Sequence, residues 1–308
     1  MKSVRAFAPA TVANVCCGFD VLGFAVEAPA DEVILTLRPQ GGVVISKITG
    51  DGGQLPLDPQ KNTAGVAVQS YLKALKSDQG VAIELIKNLP LGSGMGSSGA
   101  SGVAALVAIN HLLGEPLTRE ELVRHAMEAE RVACGSAHAD NVAPSILGGF
   151  VLVRSYSPLD IVRVPSSAKL ICTLIHPHIE LKTRDSRKVL RRSITLGESI
   201  LQTGNLGALM IGLIQADYEL ISRSLVDVIA EPTRSVFIPG FDELKENVKG
   251  SGALGFGISG SGPTVFALTR TRDEAERAGE IAASHFTAHG LPSEVRISGV
   301  NMKGARVE

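Results

Sequence analysis

Along the first sixty positions apolar residues come in short β-branched runs; beyond them they fall into helical spacing. Val33–Arg38 and Val43–Ile48 are such runs, separated by the turn cluster Pro39-Gln40-Gly41-Gly42, so the start of the chain reads mainly as strands. Asn62 is a helix cap. Val66, Ala67, Tyr71, Leu72 and Leu75 then form an apolar stripe that predicts a helix to about Lys76. Val81–Ile86 reads as a strand. Ala100–Leu113 is apolar enough to be a buried helix, and Gly114 stops it. Thr118 and Glu121 make a capping box that opens a helix to about Ala133, and Gly148-Gly149 leads into a strand over Phe150–Ser155.

Pro158, Pro165, Ser166 and Ser167 mark a hinge, dividing the chain into units 1–160 and 161–308. Past it the pattern predicts a strand (Leu170–Ile175), helices near 186–195, 204–223 and 241–249, and a strand (Thr264–Leu268). A capping box at Thr271 and Glu274 starts a helix to about His289, and Ser293–Ile297 is a final strand. The fold class expected is α+β, in two domains.

Composition narrows the function classes. The 308 residues are 44% hydrophobic and 20% charged, an ordinary globular balance in a chain long enough for two cores. The formal net charge of −1, with no basic stripe beyond Arg191-Arg192, argues against a nucleic-acid partner; that doublet reads as a solvated helix face. No run of about 18 apolar residues predicts a membrane span, and the first residues lack the apolar stretch of a signal peptide. Cys16, Cys17, Cys134 and Cys172 show no C-x-x-C spacing, and the adjacent pair would bridge only with strain. Reduced thiols and a cytoplasmic setting are the expectation.

The chemistry is concentrated ahead of the apolar helix. From Gly92 to Gly102, eleven positions hold five glycines and four serines. Glycine lets successive backbone N–H groups converge on an anion, and a helix start adds unpaired donors and the positive end of its dipole. Serine hydroxyls offer further donors and a hard oxygen for a metal ion. A P-loop would need Gly-Lys-Ser/Thr, yet no lysine lies between Lys87 and Lys169. A dinucleotide loop matches G-x-G-x-x-G at Gly94, Gly96 and Gly99, but Lys87-Asn88-Leu89-Pro90-Leu91 separates the strand from the glycines. A flexible linker would not run into a buried helix. A phosphate-rich ligand is the occupant expected. A second glycine cluster, Gly257 to Gly262 with Pro263, reads either as a tight turn or as backbone packed close to a ligand. His176-Pro177-His178 lacks a nearby third ligand and reads as surface or strand edge.

The stretch Pro90-x-Gly92-Ser93-Gly94-x-Gly96-Ser97-Ser98 resembles the second signature of the GHMP kinase superfamily, which includes galactokinase, homoserine kinase, mevalonate kinase and phosphomevalonate kinase. Ala8 to Val15, with Gly18-Phe19-Asp20-Val21-Leu22-Gly23, resembles its first motif, and Gly257 to Thr264 its third. With Asn14, and with His138-Ala139-Asp140-Asn141-Val142-Ala143-Pro144 before Gly148-Gly149, the likeness is closest to the homoserine kinase branch and spans residues 3 to about 265.

The resemblance implies a ribosomal-S5-like N-terminal domain and a ferredoxin-like C-terminal one. It also implies ATP and Mg²⁺, with L-homoserine as the small-molecule acceptor on the way to threonine. The implied nucleotide site is Pro90, Leu91, Gly92, Ser93, Gly94, Met95, Gly96, Ser97, Ser98, Gly99, Ala100 and Ser101, with the metal on Ser98 and Glu130. Read alone, Glu130 would be an exposed helix carboxylate near Arg131. For the substrate the resemblance implies Asn14, Asp20, Asn141, Arg184, Arg234 and Gly260, and for catalysis Asn141, Asp140 and Asp20. Without it, each arginine is one of many on a surface. An aspartate at the position of Asp140 is the base in mevalonate kinase. The homoserine kinase pattern instead puts Asn141 nearer the acceptor hydroxyl and leaves catalysis to positioning and charge stabilisation. A homodimer is compatible with the resemblance. The rival readings are another GHMP kinase acting on mevalonate, shikimate or a sugar, an idle ATP or metabolite sensor, and an S5-like RNA-binding module.

Overall fold

The computed structural model describes residues 2–135, 137–179, 181 and 183–308, without the side chains of 133, 134, 183 and 184. Its first sheet is built around one long strand. β1 (Ser3–Ala13) pairs antiparallel with β2 (Leu22–Arg38), whose far half, Glu32–Arg38, pairs with β4 (Gly80–Ile86); β3 (Val43–Thr49) lies parallel to β4. The near end of β2, Leu22–Phe24, pairs with β5 (Phe150–Tyr156), which pairs in turn with β6 (Leu159–Val164). Residues 306–307 return as β11 beside β1. The division expected at 160/161 thus falls inside β6.

Four helices accompany this sheet: α1 (Thr63–Ala74), α2 (Ser97–Leu112), α3 (Arg119–Cys134) and α4 (Val142–Leu147). From Ser97 to Asn110 every α2 residue but Ser98 is buried, as a helix apolar on all sides must be. α1 and α3 flank it, and it lies on β1 and β2. Its first turn opens three residues earlier than the apolar run, because Ser97, Ser98 and Gly99 already take helical geometry after the left-handed Gly96.

The second sheet is antiparallel, in the order β10 (Ser293–Gly299), β7 (Ile171–Pro177), β9 (Val265–Thr269), β8 (Gly255–Ile258). α9 (Phe241–Gly250) and α10 (Arg272–Ala288) pack on it over a core of Ile175, Phe241, Leu244, Phe256 and Phe286. The main core is continuous with both sheets: Phe24 stacks on Phe150 at 4.8 Å and meets Phe266 of β9 edge-on at 6.3 Å.

Between β7 and β8 in the chain come α5 (Thr183–Lys188), α6 (Leu196–Gln215), α7 (Tyr218–Ser224) and α8 (Glu231–Arg234). The helix expected over 204–223 is two helices, because Ala216 adopts left-handed geometry (φ 56°) and Asp217 caps a new start through Leu220 N at 2.9 Å. The helix expected near 186–195 is the short α5 instead. Thr195 then opens α6 with a capping box to Glu198 that the pattern reading passed over.

Candidate active site

The phosphate-type loop keeps the shape its glycines allow. Gly92, Gly94 and Gly96 all have positive φ (64°, 83° and 69°), and the last is the N-cap of α2 without any side-chain cap. The first N–H groups of α2 therefore stay unclaimed by a capping side chain, as an anion site requires. The loop also lies against its neighbours too closely for a Cβ. One at Gly94 would sit 2.5 Å from Ser259 O, and one at Gly96 would sit 2.2 Å from Thr11 Oγ1.

Not every serine points outward. Ser97 Oγ is bonded to Leu89 O and to Lys87, and Ser101 Oγ to Asp31 and Lys87, so these two residues present only backbone to a ligand. Ser98 is different: its hydroxyl donates to Glu130 Oε1 on α3 at 2.7 Å. Two hard oxygens side by side at a helix start suit Mg²⁺, which takes one or two protein oxygens and keeps its waters. Among the described residues no group of three or more His, Cys, Asp or Glu is able to hold a metal, and His176 instead bonds Thr264 Oγ1 at 3.1 Å.

The other two motifs close on this loop. Asn14, Val15 and Cys16 in succession, and then Asp20, take left-handed backbone, a contorted turn that brings the first motif over the third. Asn14 Oδ1 accepts the Asp20 N–H (3.0 Å), and Asn14 Nδ2 donates to Gly260 O (2.8 Å). Gly260 O also accepts from Arg234 Nη1 at 2.8 Å, and Ser259 Oγ donates to Gly94 O at 2.8 Å. The Gly257–Gly262 cluster contains a turn, and its backbone packs on the glycine loop.

Asp20 is the centre of the polar corner beside them. Arg187 reaches it with two nitrogens, at 2.8 and 3.3 Å, and His138 Nδ1 lies 3.7 Å away. Tyr156 fixes the same turn by donating to Asp20 O at 2.7 Å. Arg234 is buried over the Phe19 ring, 5.5 Å from its centroid, where burial and then Arg187 push its pKa down. Arg187 Nε is buried without a hydrogen-bond partner, while Nη1 and Nη2 both serve Asp20.

Asp140 and Asn141 complete the corner. Asn141 Oδ1 accepts from Thr11 Oγ1 at 2.7 Å, and although Asn141 is the N-cap of α4 its side chain makes no cap bond. Asp140 is wholly buried; burial first, then the Asp20 charge, push its carboxyl up to about 7, and Oδ1 has no hydrogen-bond partner. Such a group changes protonation near neutral pH.

Of the residues singled out in sequence, Asn14, Asp20, Asp140, Asn141, Arg234, Gly260, Ser98 and Glu130 thus gather around the touching glycine clusters. The side chain of Arg184 lies outside the described residues. Arg187, one turn further along α5, is the arginine that meets Asp20; in the sequence it is one of several cations in that stretch, with nothing to single it out. Lys87 and Asp31 were missed too, and the signal was present: a lysine directly follows the apolar strand β4, three residues before the loop's Pro90. Two cavities lie apart from this corner. One of about 330 Å³ is lined by His111, Glu115 and Arg119, and one of about 530 Å³ by Gly42, Gln69 and Lys73.

Two family models match the chain: the GHMP kinases N terminal domain over residues 62–149 and the GHMP kinases C terminal domain over 209–288. The homoserine kinase of Chlorobium phaeovibrioides is 54% identical over 319 aligned residues, with all of both chains covered. The crystal structure of homoserine kinase from Cytophaga hutchinsonii superposes with a TM-score of 0.97 at 52% identity, covering 100% of this chain and 98% of that one. The mevalonate kinase of L. major, in complex with R-mevalonate, has a TM-score of 0.73 at 17% identity and covers 96% and 95% of the two chains; it shares the fold.

Proposed function

The chain belongs to the GHMP kinases, in their homoserine kinase branch, and on that premise we propose how its own residues carry out ATP-dependent phosphorylation of the L-homoserine hydroxyl. The observation that carries the reading is the Asp20–Arg187 pair set beside the uncapped start of α2. An α-amino acid brings one cation and one anion. Its ammonium replaces Arg187 on Asp20, while its carboxylate takes the planar forks of Arg187 and Arg234. One ion pair is exchanged for two, and neither protein charge is left alone. Mevalonate and shikimate bring a carboxylate without an ammonium, so drawing Arg187 onto it would leave Asp20 uncompensated, at a cost of roughly several kcal/mol in a partly buried site, and a sugar brings neither charge and gains no ion pair here. Asn14 keeps Asp20 in register through its backbone N–H.

The loop from Pro90 to Ser101 and the N–H groups of α2 hold the triphosphate, and Ser98 with Glu130 hold Mg²⁺. When bound, the metal offsets phosphate charge and orients the terminal phosphoryl group. Asn141, held by Thr11, orients the acceptor hydroxyl. Catalysis then rests mainly on alignment and charge stabilisation, with the proton leaving late. The orphaned Oδ1 of Asp140 favours a second reading for that proton, in which the ionised carboxylate accepts it from the hydroxyl.

We place the enzyme in the cytoplasm, in a step toward threonine. The free buried thiols Cys16, Cys17 and Cys172 accord with a reducing compartment. No helix among the described residues is long and apolar enough to cross a membrane. The test is a coupled assay of ADP release with Mg²⁺ and, in turn, homoserine, mevalonate, shikimate and galactose. Homoserine is expected to give the highest kcat/KM. A better acceptor among the others would displace it, and nucleotide binding without turnover would mean an idle sensor.

A further inference from the structure

We propose that the buried pair of Lys87 and Asp31 is a positioning device for the phosphates of ATP, clamping both ends of the glycine loop to β2. The inference rests on the phosphate-loop reading above and adds residues to it. Lys87 Nζ is ion-paired with Asp31 and also donates to Ser97 O (2.8 Å), Ser97 Oγ (2.8 Å) and Ser101 Oγ (3.0 Å) in the first turns of α2. Asp31 works on the opposite end of the loop: its Oδ1 accepts the N–H groups of Asn88 and Leu89, both at 3.0 Å, while Oδ2 accepts from Ser101 Oγ at 3.0 Å. The residues that enter the loop and those that leave it are therefore tied to one point on β2. Both side chains are essentially inaccessible, at 1% and 0% exposure.

A purely structural account of this pair is weak. Taking two charges out of water costs about as much as their attraction returns, and apolar replacements of similar size are often as stable. What the pair supplies that an apolar plug would not is direction. Each of its bonds ends on a backbone or hydroxyl group within four residues of Ser98 or within three of Pro90. The P-loop lysine is absent from this chain, and Lys87 is no substitute for it: its ammonium is fully committed beneath the loop. Its effect on ATP passes through Ser97, so it is a positioning residue.

The experiment uses the full chain with Lys87→Met, Asp31→Asn, the Lys87→Met/Asp31→Asn double variant, and Ser101→Ala, which removes one tie without changing charge. For each, KM for ATP, KM for homoserine, kcat, calorimetric Kd for ADP with Mg²⁺, and Tm are measured. The double variant leaves no unpaired charge, so its Tm is expected to recover above that of either single variant. Its KM for ATP and Kd for ADP are expected to stay raised by about tenfold or more, with KM for homoserine within about twofold of the parent. Ser101→Ala is expected to raise KM for ATP about threefold. Recovery of ATP affinity together with Tm, an equal shift in both substrates' KM, or an unchanged KM for ATP in Ser101→Ala would overturn the proposal. A parent chain that binds no ADP would remove the phosphate-loop reading itself, and the proposal with it. A parent that binds ADP, with variants binding it equally well, sinks the proposal alone.

Discussion

Single side chains make the first set of claims testable. Asp140 is the clearest case, because its raised carboxyl has a definite sign. In the folded chain it holds its proton to about pH 7, whereas in the unfolded chain it loses it near pH 4. Between those values the native state binds more protons, so stability falls as pH rises from about 4 to about 7 and then levels. Asp140→Asn removes that loss. The variant is expected to be more stable than the parent at pH 8, on the order of a few kcal/mol, and to lose this advantage toward pH 4, as urea titrations at the two pH values would read. If Asp140 is also the proton acceptor, kcat drops by about 10²–10⁴ and the acidic limb of the rate profile vanishes; a fall under about tenfold with the limb intact removes it from that role. Arg187 tests the amino-acid reading. Arg187→Lys keeps the charge but not the fork, so KM for homoserine is expected to rise by about tenfold or more while KM for ATP holds. An equal rise in both would show that the arginine supports the fold of the corner and not the substrate.

Between elements, the strongest constraint is the seam where the two glycine clusters touch. Gly94 and Gly114 have nearly the same φ, 83° and 84°, but a Cβ at Gly114 meets nothing within 4 Å and one at Gly94 runs into Ser259 O and Gly262 O. Gly114→Ala therefore costs only the left-handed backbone, about 1 kcal/mol, and leaves kcat/KM unchanged. Gly94→Ala adds the clash and is expected to cost roughly 2 kcal/mol more, with KM for ATP raised. Equal effects in denaturation and assay would mean that the seam yields freely. The Ser98–Glu130 contact joins α2 to α3 in the same way. Glu130→Gln is expected to raise the Mg²⁺ concentration for half-maximal rate by about tenfold, leaving KM for homoserine in place. Helix starts with a capping box were legible in the sequence at Thr118 and Thr271, since the signal lies within four residues. The break at Ala216 was passed over, although Asp217, which caps the new start through Leu220 N, is a local signal for it.

Taken as one body, the chain has a main core that does not stop at either sheet. Phe24 and Phe150 belong to the first sheet and Phe266 to the second, yet all three rings are in one cluster with Cys172 and Leu174 of β7. Apolar burial on both sides of a shared core couples the unfolding of the parts. Urea unfolding followed by circular dichroism and by tyrosine fluorescence is expected to give coincident transitions. Separate midpoints would show that the sheets melt as independent units. The return of 306–307 to the first sheet adds to this coupling, because the chain's last strand pairs with its first.

Local chemistry written into the chain was enough for the α+β class, the apolar helix and the glycine loop ahead of it, whereas the residues named around that loop came from the resemblance to the GHMP kinases. Glycine spacing, caps and apolar period act over a few residues, so they survive in a linear reading. The pairing of Arg187 with Asp20 depended on α5 being brought against a loop more than 160 positions away. The protonation of Asp140 and the clamp of Lys87 with Asp31 depended on burial, which arises only when distant segments close over a charge. Such groups look ordinary in sequence because desolvation and long-range pairing, not residue type, set what they do.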